Sequence, residues 1–142
     1  MEPLDPQVYA DLARASTATL TTQLFQRGFR NVFLNGLRPL NPEHARFVGQ
    51  ARTLRSIPAR EDLDVVSSFG APNHPQRKIF ELLEPGDVLV MDCRGDLRAA
   101  NGGGILTTRA MMRGAAAIVS DGSIRDSPGI ARMAFPVFTA GA

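Results

Sequence analysis

The segment VSDGSIRDSPG, residues 119–129, gathers Asp121, Arg125 and Asp126 into one short loop with glycines on both sides. A guanidinium is a planar fork suited to a carboxylate. An aspartate next to it is a hard oxygen ligand suited to Mg²⁺ or Mn²⁺. Upstream, MDCRGDLRAANGGG sets Gly102, Gly103 and Gly104 ahead of ILTTRAMMRG, which reads as a helix. Bare N–H groups at a helix start, reinforced by the helix dipole, make a seat for a carboxylate or a phosphate. An amide cradle, a guanidinium and a metal-binding carboxylate together suit a small keto-acid or a phosphorylated ligand.

Each piece also has a plainer reading. A glycine triplet serves equally as a flexible loop, and NGGGILTTR matches neither the dinucleotide fingerprint nor the phosphate loop ending in Gly-Lys-Ser/Thr. Asp121-Gly122 is a turn signal. Arg125 and Asp126 can be solvated loop residues, or Asp126 can cap the helix opening at Ser127-Pro128. Asp92 and Asp96 read as supporting or capping groups. Cys93 has no histidine near it in sequence and reads as a small buried hydrophobe rather than a nucleophile. His44 and His74, in proline-containing loops, read as surface residues, and Met111 and Met112 as core packing.

The elements that must position these residues alternate along the chain. Asp5-Pro6 starts a helix in which Val8, Leu12, Leu20, Leu24 and Phe25 recur at roughly helical spacing up to Gly28. LNGLRPLNP is turn-rich. RFVGQARTLRSI alternates as a strand, with Gly49 marking a bulge or a close backbone approach. PQRKIFELLEPGD is a short helix ended by Pro85-Gly86. DVLVMDC is a continuous apolar strand, GGGILTTRAMMRG a helix closed by Gly114, AAAIVSD a second buried strand, SPGIARM a short helix and FPVFTAG a third strand. The second half is therefore β-α-β-α-β, an α/β fold with parallel central strands and right-handed crossovers. Ligands of such sheets collect outside the carboxyl ends of the strands, where the two loops face one another if their strands are neighbours.

Composition narrows the function classes. The chain has 142 residues, 44% apolar and 21% charged, in keeping with one globular domain. Its net charge is +2, without a run of five or six like charges, so nucleic-acid binding through a charge patch is not indicated. A single cysteine gives no disulfide framework and no thiolate zinc site, in line with a reducing, cytoplasmic compartment. MEPLDPQVYADL is acidic and lacks the apolar core of a signal peptide, and no apolar stretch is long enough to span a membrane. The sequence stops at Gly141-Ala142, directly after a strand, which leaves a sheet edge to be covered by further C-terminal sequence or by another subunit.

The run GDVLVMDCRGD, followed by GGGILTTRAMMRGAAAIVSDGSIRDSPGIARMAFPVFTAG, resembles the RraA-like family. That family contains class II 4-hydroxy-4-methyl-2-oxoglutarate aldolases, which also decarboxylate oxaloacetate, and the regulator of ribonuclease activity A. STATLTTQLFQRGFRNVFLNGLRPLNP and RFVGQARTLR resemble its N-terminal helix and first strand, so the likeness covers nearly the whole chain. Its most specific parts are D-G-x-x-R-D at Asp121 to Asp126 and the stretch Phe135-Pro136-Val137-Phe138.

The resemblance implies an α/β/β/α sandwich like the swivelling phosphohistidine domain, formed by residues 1–142 as one domain that lacks its C-terminal portion. It implies a homotrimer or a hexamer of two such rings, with the site between subunits. Asp126 would bind a divalent metal, Mg²⁺ or Mn²⁺. Arg125 would bind the carboxylate or keto oxygen of a small 2-oxo acid. Gly103, Gly104, Ile105 and Leu106 would offer backbone N–H groups to the pyruvyl carboxylate.

The implied activity is a metal-dependent carbon–carbon lyase that releases pyruvate through a metal-stabilised enolate, with Arg125 and Asp126 as its catalytic pair. This chemistry fits the residues. Breaking a carbon–carbon bond β to a ketone needs an electron sink, which a Lewis acid supplies, and a fixed guanidinium stabilises the charge that develops. Mg²⁺ tolerates one protein carboxylate because it keeps several waters, one of which can move a proton. The alternative is a non-catalytic regulator that binds a ribonuclease or an RNA helicase; that type lacks a metal-binding Asp after the arginine, and Asp126 favours the enzyme. One departure stands out. An acidic residue is expected near the position of Gly104, with Asp92 and Asp96 as the candidates to compensate.

Overall fold

A computed structural model describes residues 4–60 and 62–142. The first helix, α1 (Pro6–Arg14), begins as the sequence dictates: Pro6 takes the first helical position and the Asp5 carboxylate accepts the Gln7 N–H at 2.7 Å. The single helix expected through Phe25 is two helices. The chain turns extended at Ala15 and Ser16, and the Ser16 hydroxyl accepts the Thr19 N–H at 3.1 Å to start α2 (Thr17–Gln26). A serine that captures a backbone N–H in a non-helical conformation competes with helix continuation, and periodicity alone does not register that. Neither helix buries a residue.

The sheet has five strands, β1 (Arg38–Pro39), β2 (Gln50–Arg55), β3 (Asp87–Asp92), β4 (Ala117–Ser123) and β5 (Val137–Gly141), in the order β1-β5-β4-β3-β2. The pairs β2–β3, β3–β4 and β4–β5 are parallel, and β1 is antiparallel on β5. The α/β class is as expected; a second sheet is not formed among the described residues. β1 arises from the segment expected only to turn, and it occupies part of the edge of β5 that the sequence left open. The strand after Gly49 is shorter than the alternation suggested, but the close approach is present. A Cβ on Gly49 would lie 2.3 Å from the Gly86 carbonyl oxygen and 2.8 Å from Val88 Cγ2.

Three helices connect the parallel strands: α3 (Pro75–Glu81), α4 (Gly104–Met112) and α5 (Ser127–Ile130). The sheet advances by one strand at every crossover, and crossovers of the usual right hand then put all three helices on one face. Contacts of α4 with both α3 and α5 agree with that arrangement. Beneath them lies the main core, with Phe80, Leu83, Leu89, Met91, Ile118, Ile130 and Val137 all nearly or fully buried. The opposite face carries a smaller cluster of Val88, Ala117 and Val119, with Phe47 edge-on to Phe138.

Several side chains depart from their expected places. Met111 and Met112 are exposed rather than core, Met112 by 73%, because they follow Ala110 around α4 onto its outer side. His44 and His74 are half-buried rather than surface residues. The His74 ring lies 5.0 Å from that of Phe69. Cys93 is buried as expected, and burial pushes its thiol up from the ordinary value.

Candidate active site

The site lies where the chain leaves β3 and β4. Both parallel strands end there, and the loop after β3 is tied to β4 by backbone and side-chain bonds. The Asp121 carboxylate accepts the N–H groups of Cys93 and, at 2.9 Å, Gly95. Ser123 donates its hydroxyl to the Leu97 carbonyl at 2.9 Å. Ala100 then bridges Ser123 in parallel, the Asn101 N–H donates to the Ser123 carbonyl at 2.8 Å, and the Arg125 N–H donates to the Gly102 carbonyl at 3.1 Å. The loop thus runs as a short extra strand beside the end of β4, and this pairing sets Gly103 next to Arg125 and Asp126. The approach demands a glycine at 122, where a Cβ would fall 2.7 Å from Cys93 Cβ and 2.8 Å from Asn101 Nδ2.

Arg125 and Asp126 fold over the glycine turn. A Cβ on Gly103 would lie 2.7 Å from Asp126 Oδ2 and 3.0 Å from Arg125 Cγ. Asp126 adopts the left-handed conformation, φ 64° and ψ 24°, which an aspartate tolerates better than most residues. It stands at the start of α5, yet its side chain makes no bond to that helix. Oδ2 instead accepts the Gly104 N–H of α4 at 2.9 Å. The side-chain cap expected on α5 is therefore not made, and the same carboxylate bonds the start of α4 instead. Oδ1 has no hydrogen-bond partner among the described residues.

Of the amides the sequence placed at the start of α4, that of Gly104 is already taken by Asp126. Thr107 is the first residue whose N–H turns back into the helix, to the Gly103 carbonyl at 2.9 Å, so the N–H groups of Gly104, Ile105 and Leu106 point out of the first turn. The Leu106 side chain packs against the core, whereas that of Ile105 is 86% exposed. Gly103, Gly104, Ile105, Leu106, Arg125 and Asp126 thus share one small region of the surface.

Asp92 and Asp96 do not join them. Neither comes within 4 Å of a Cβ built on Gly104; among the described residues outside α4 and the adjoining chain, Asp126 is the one that does. Asp92 pairs with Arg55 at 2.7 Å, and that guanidinium holds its carboxyl below the ordinary range. Asp96 pairs with Arg98 at 2.6 Å, and the guanidinium lowers its carboxyl from 3.8 to about 2. Both are capping groups as well, accepting the N–H of Arg94 and Arg98 respectively.

The donor set is one hard carboxylate with a free oxygen. No group of three or more His, Cys, Asp or Glu side chains able to hold a metal occurs among the described residues. That set does not fit a closed zinc site, which needs nitrogen or sulfur ligands. It does fit Mg²⁺ or Mn²⁺, for which water supplies most of the shell.

A shallow groove of about 630 Å³ leads away from the glycine turn along the outer side of α4, lined by Gly104, Ile105, Thr108, Arg109, Met112, Asp126 and Met133. Sequence reasoning missed this groove. It also missed Asp121 as the residue that pins the loop, and the pairing of Arg109 with Glu81. The D-G dipeptide read only as a turn, and nothing in sequence marks a carboxylate that bonds amides nearly thirty residues upstream.

The fold and this site define an α/β protein, its sheet parallel but for β1, with Arg125, Asp126 and the first turn of α4 gathered at its strand ends. A model of the RraA-like family, described as Aldolase/RraA, matches residues 17–142, and the chain belongs to that family. It is 33% identical over 105 residues to a protein of Halalkalibacterium halodurans named "Putative 4-hydroxy-4-methyl-2-oxoglutarate aldolase", a match that covers 74% of this chain and 44% of that protein. Among solved structures it is similar to Streptomyces coelicolor RraAS2, described as an unusual member of the RNase ES inhibitor RraA protein family, with a TM-score of 0.82, 32% identity and coverage of 99% of this chain and 65% of that one. It is also similar to the RNA-processing inhibitor RraA of Thermus thermophilus, with a TM-score of 0.67, 26% identity and coverage of 91% and 68%. The chain spans less than half the length of its curated relative and about two-thirds of these structures. No helix among the described residues is long and apolar enough to cross a membrane.

Proposed function

We propose that this chain carries the site of a carbon–carbon lyase acting on 2-oxo acids, of the 4-hydroxy-4-methyl-2-oxoglutarate aldolase and oxaloacetate decarboxylase type. The observation that supports it most is the packing of Arg125 and Asp126 over Gly103, beside the outward amides of α4. The Ile105 and Leu106 N–H groups, with Gly103 and Gly104 behind them, bind the carboxylate of the pyruvyl end. Arg125 sets its guanidinium against the keto oxygen, where negative charge develops as the bond between C3 and C4 breaks. In the aldol case the C4 hydroxyl gives up its proton, C4 leaves as a carbonyl, and the electron pair stays on the pyruvyl fragment until C3 is protonated. In the decarboxylation the leaving fragment is CO₂. Asp126 is the residue that would hold Mg²⁺ or Mn²⁺ through Oδ1. When bound, the ion supplies Lewis acidity at the keto oxygen.

The test is a coupled pyruvate assay with oxaloacetate and with 4-hydroxy-4-methyl-2-oxoglutarate, with and without Mg²⁺ or Mn²⁺. Pyruvate release that needs the metal supports the reading; equal release in excess chelator overturns it. The apolar side chains left exposed on α2 and beyond it, Phe25, Phe29 and Phe33, support assembly into a homotrimer or hexamer, which sedimentation measures.

The likeness to RraAS2 supports a second reading, a regulator that binds a ribonuclease or an RNA helicase. The two separate at Asp126. Inhibition of an RNase E-type nuclease that survives Asp126→Ala, without any pyruvate release by the parent chain, favours the regulator.

A further inference from the structure

We infer that the groove along α4 makes this site select a 2-oxo acid whose C4 carries a neutral, apolar substituent over one that carries a second carboxylate there. The inference rests on the lyase reading. Gly104 and Asp126 line both the pyruvyl seat and the groove, so the groove continues the site rather than forming another. A ligand anchored by its C1 carboxylate on the first turn of α4 sends its far end along the face of Ile105, Thr108, Arg109 and Met112, in a groove that Met133 also lines. Those walls are chiefly hydrocarbon and thioether.

Arg109 is the cation on that face, and its charge is already taken. Its Nε lies 3.1 Å from Glu81 Oε1 and 3.2 Å from Oε2, and its Nη2 also reaches Oε2, so the Nε–Nη2 edge of the guanidinium is engaged by the carboxylate of α3. A second substrate carboxylate would leave water for methionine side chains and find a guanidinium that is already paired. A methyl or alkyl group in the same place gives up nothing and gains contact with Met112 and Met133.

The experiment compares two aldol substrates that differ at one group. One is 4-hydroxy-4-methyl-2-oxopentanoate, which splits into acetone and pyruvate. The other is 4-hydroxy-4-methyl-2-oxoglutarate, which splits into two pyruvates. With Mg²⁺ present, kcat/KM for the neutral substrate is expected to exceed that for the dicarboxylate by about tenfold or more, the scale on which a pocket discriminates small groups. Glu81→Gln removes the competing carboxylate and is expected to shift the ratio toward the dicarboxylate by about tenfold. Met112→Lys, which adds a cation without touching the pair, is expected to shift it the same way.

A readout independent of turnover is competition by 4-methyl-2-oxopentanoate and by 2-oxoglutarate, measured by calorimetry; the first is expected to bind more tightly. A parent enzyme that prefers the dicarboxylate, or a ratio that neither variant moves, overturns this inference and leaves the lyase standing. Absence of metal-dependent pyruvate release from any 2-oxo acid overturns both.

Discussion

Asp126 Oδ2 accepts the Gly104 N–H at 2.9 Å, so a carboxylate at the start of one helix closes the start of another. The bond sets the carboxylate against the helix end that favours negative charge. It also fixes the direction in which Oδ1 faces. One side chain thus positions the amide cradle and presents the oxygen that a hard cation would use.

Those two tasks separate by substitution. Asparagine keeps a side-chain oxygen able to accept the Gly104 N–H but carries no charge, whereas alanine loses both. We expect Asp126→Asn and Asp126→Ala each to abolish Mn²⁺ binding, read by electron paramagnetic resonance, and to lower pyruvate release by at least about a hundredfold, the scale of losing a main electrostatic group. We expect Asp126→Ala alone to lose stability, by about 1 kcal/mol as for other helix-end acceptors, measured by urea unfolding. Mn²⁺ affinity retained in Asp126→Ala would remove this residue from the metal site.

Gly103 tests the packing of the pair. Its backbone is extended, φ −166° and ψ −172°, a conformation any residue adopts, so alanine there brings no backbone strain. The added methyl would stand 2.7 Å from Asp126 Oδ2 and 3.0 Å from Arg125 Cγ and must displace both exposed side chains. We expect Gly103→Ala to melt within a few degrees of the parent chain and to lose about a hundredfold in kcat/KM, as misplacement by roughly 1 Å does in other active sites. Full activity in this variant would sink the assignment of Arg125 and Asp126 to the reacting centre.

Asp121 acts one step away from the chemistry. Its two oxygens take the N–H groups of Cys93 and Gly95 and hold the loop that ends in the glycine turn. Asparagine has one acceptor for two donors, which leaves an N–H facing an amide NH₂. We expect Asp121→Asn to cost about 1–3 kcal/mol and to speed hydrogen exchange at Cys93 and Gly95 while distant core amides keep their order of protection. Loss of protection spread evenly over the sheet would refute a local clamp.

The sheet was legible in the sequence because buried parallel strands are continuous apolar runs. DVLVMDC and AAAIVSD become β3 and β4, and each strand end carries the loop expected of it. Arg125, Asp126 and the glycine turn converge because those strands are neighbours, the condition on which the expectation of facing loops rested. Three features were hidden for distinct reasons. The break at Ser16 is a competition for one N–H, which periodicity does not encode. Met111 and Met112 face outward because a short helix lying on one face of a sheet buries only one side, and the sequence does not say which. The partners of Asp92, Glu81 and Asp121 depend on register between segments, which exists only in the folded chain.

The arginine partners make a pH dependence with a definite sign. Glu81, Asp92 and Asp96 all titrate below their ordinary range, each chiefly through a hydrogen bond from an arginine side chain: Arg109, Arg55 and Arg98 respectively. A carboxyl whose folded value is depressed adds stability above its unfolded value and loses it as pH falls through the folded one. For Asp96 that window runs from 3.8 down to about 2. All three are exposed to solvent, so salt weakens the effect. We expect the Asp96 carboxyl signal, followed by carbon-13 NMR, to titrate near the bottom of that window and to return toward its top in Arg98→Ala. We expect the urea midpoint of the parent chain to fall across the same window more steeply than that of the variant, with the difference shrinking in high salt. An Asp96 midpoint that stays put when Arg98 is removed would show that the pair does not form in solution.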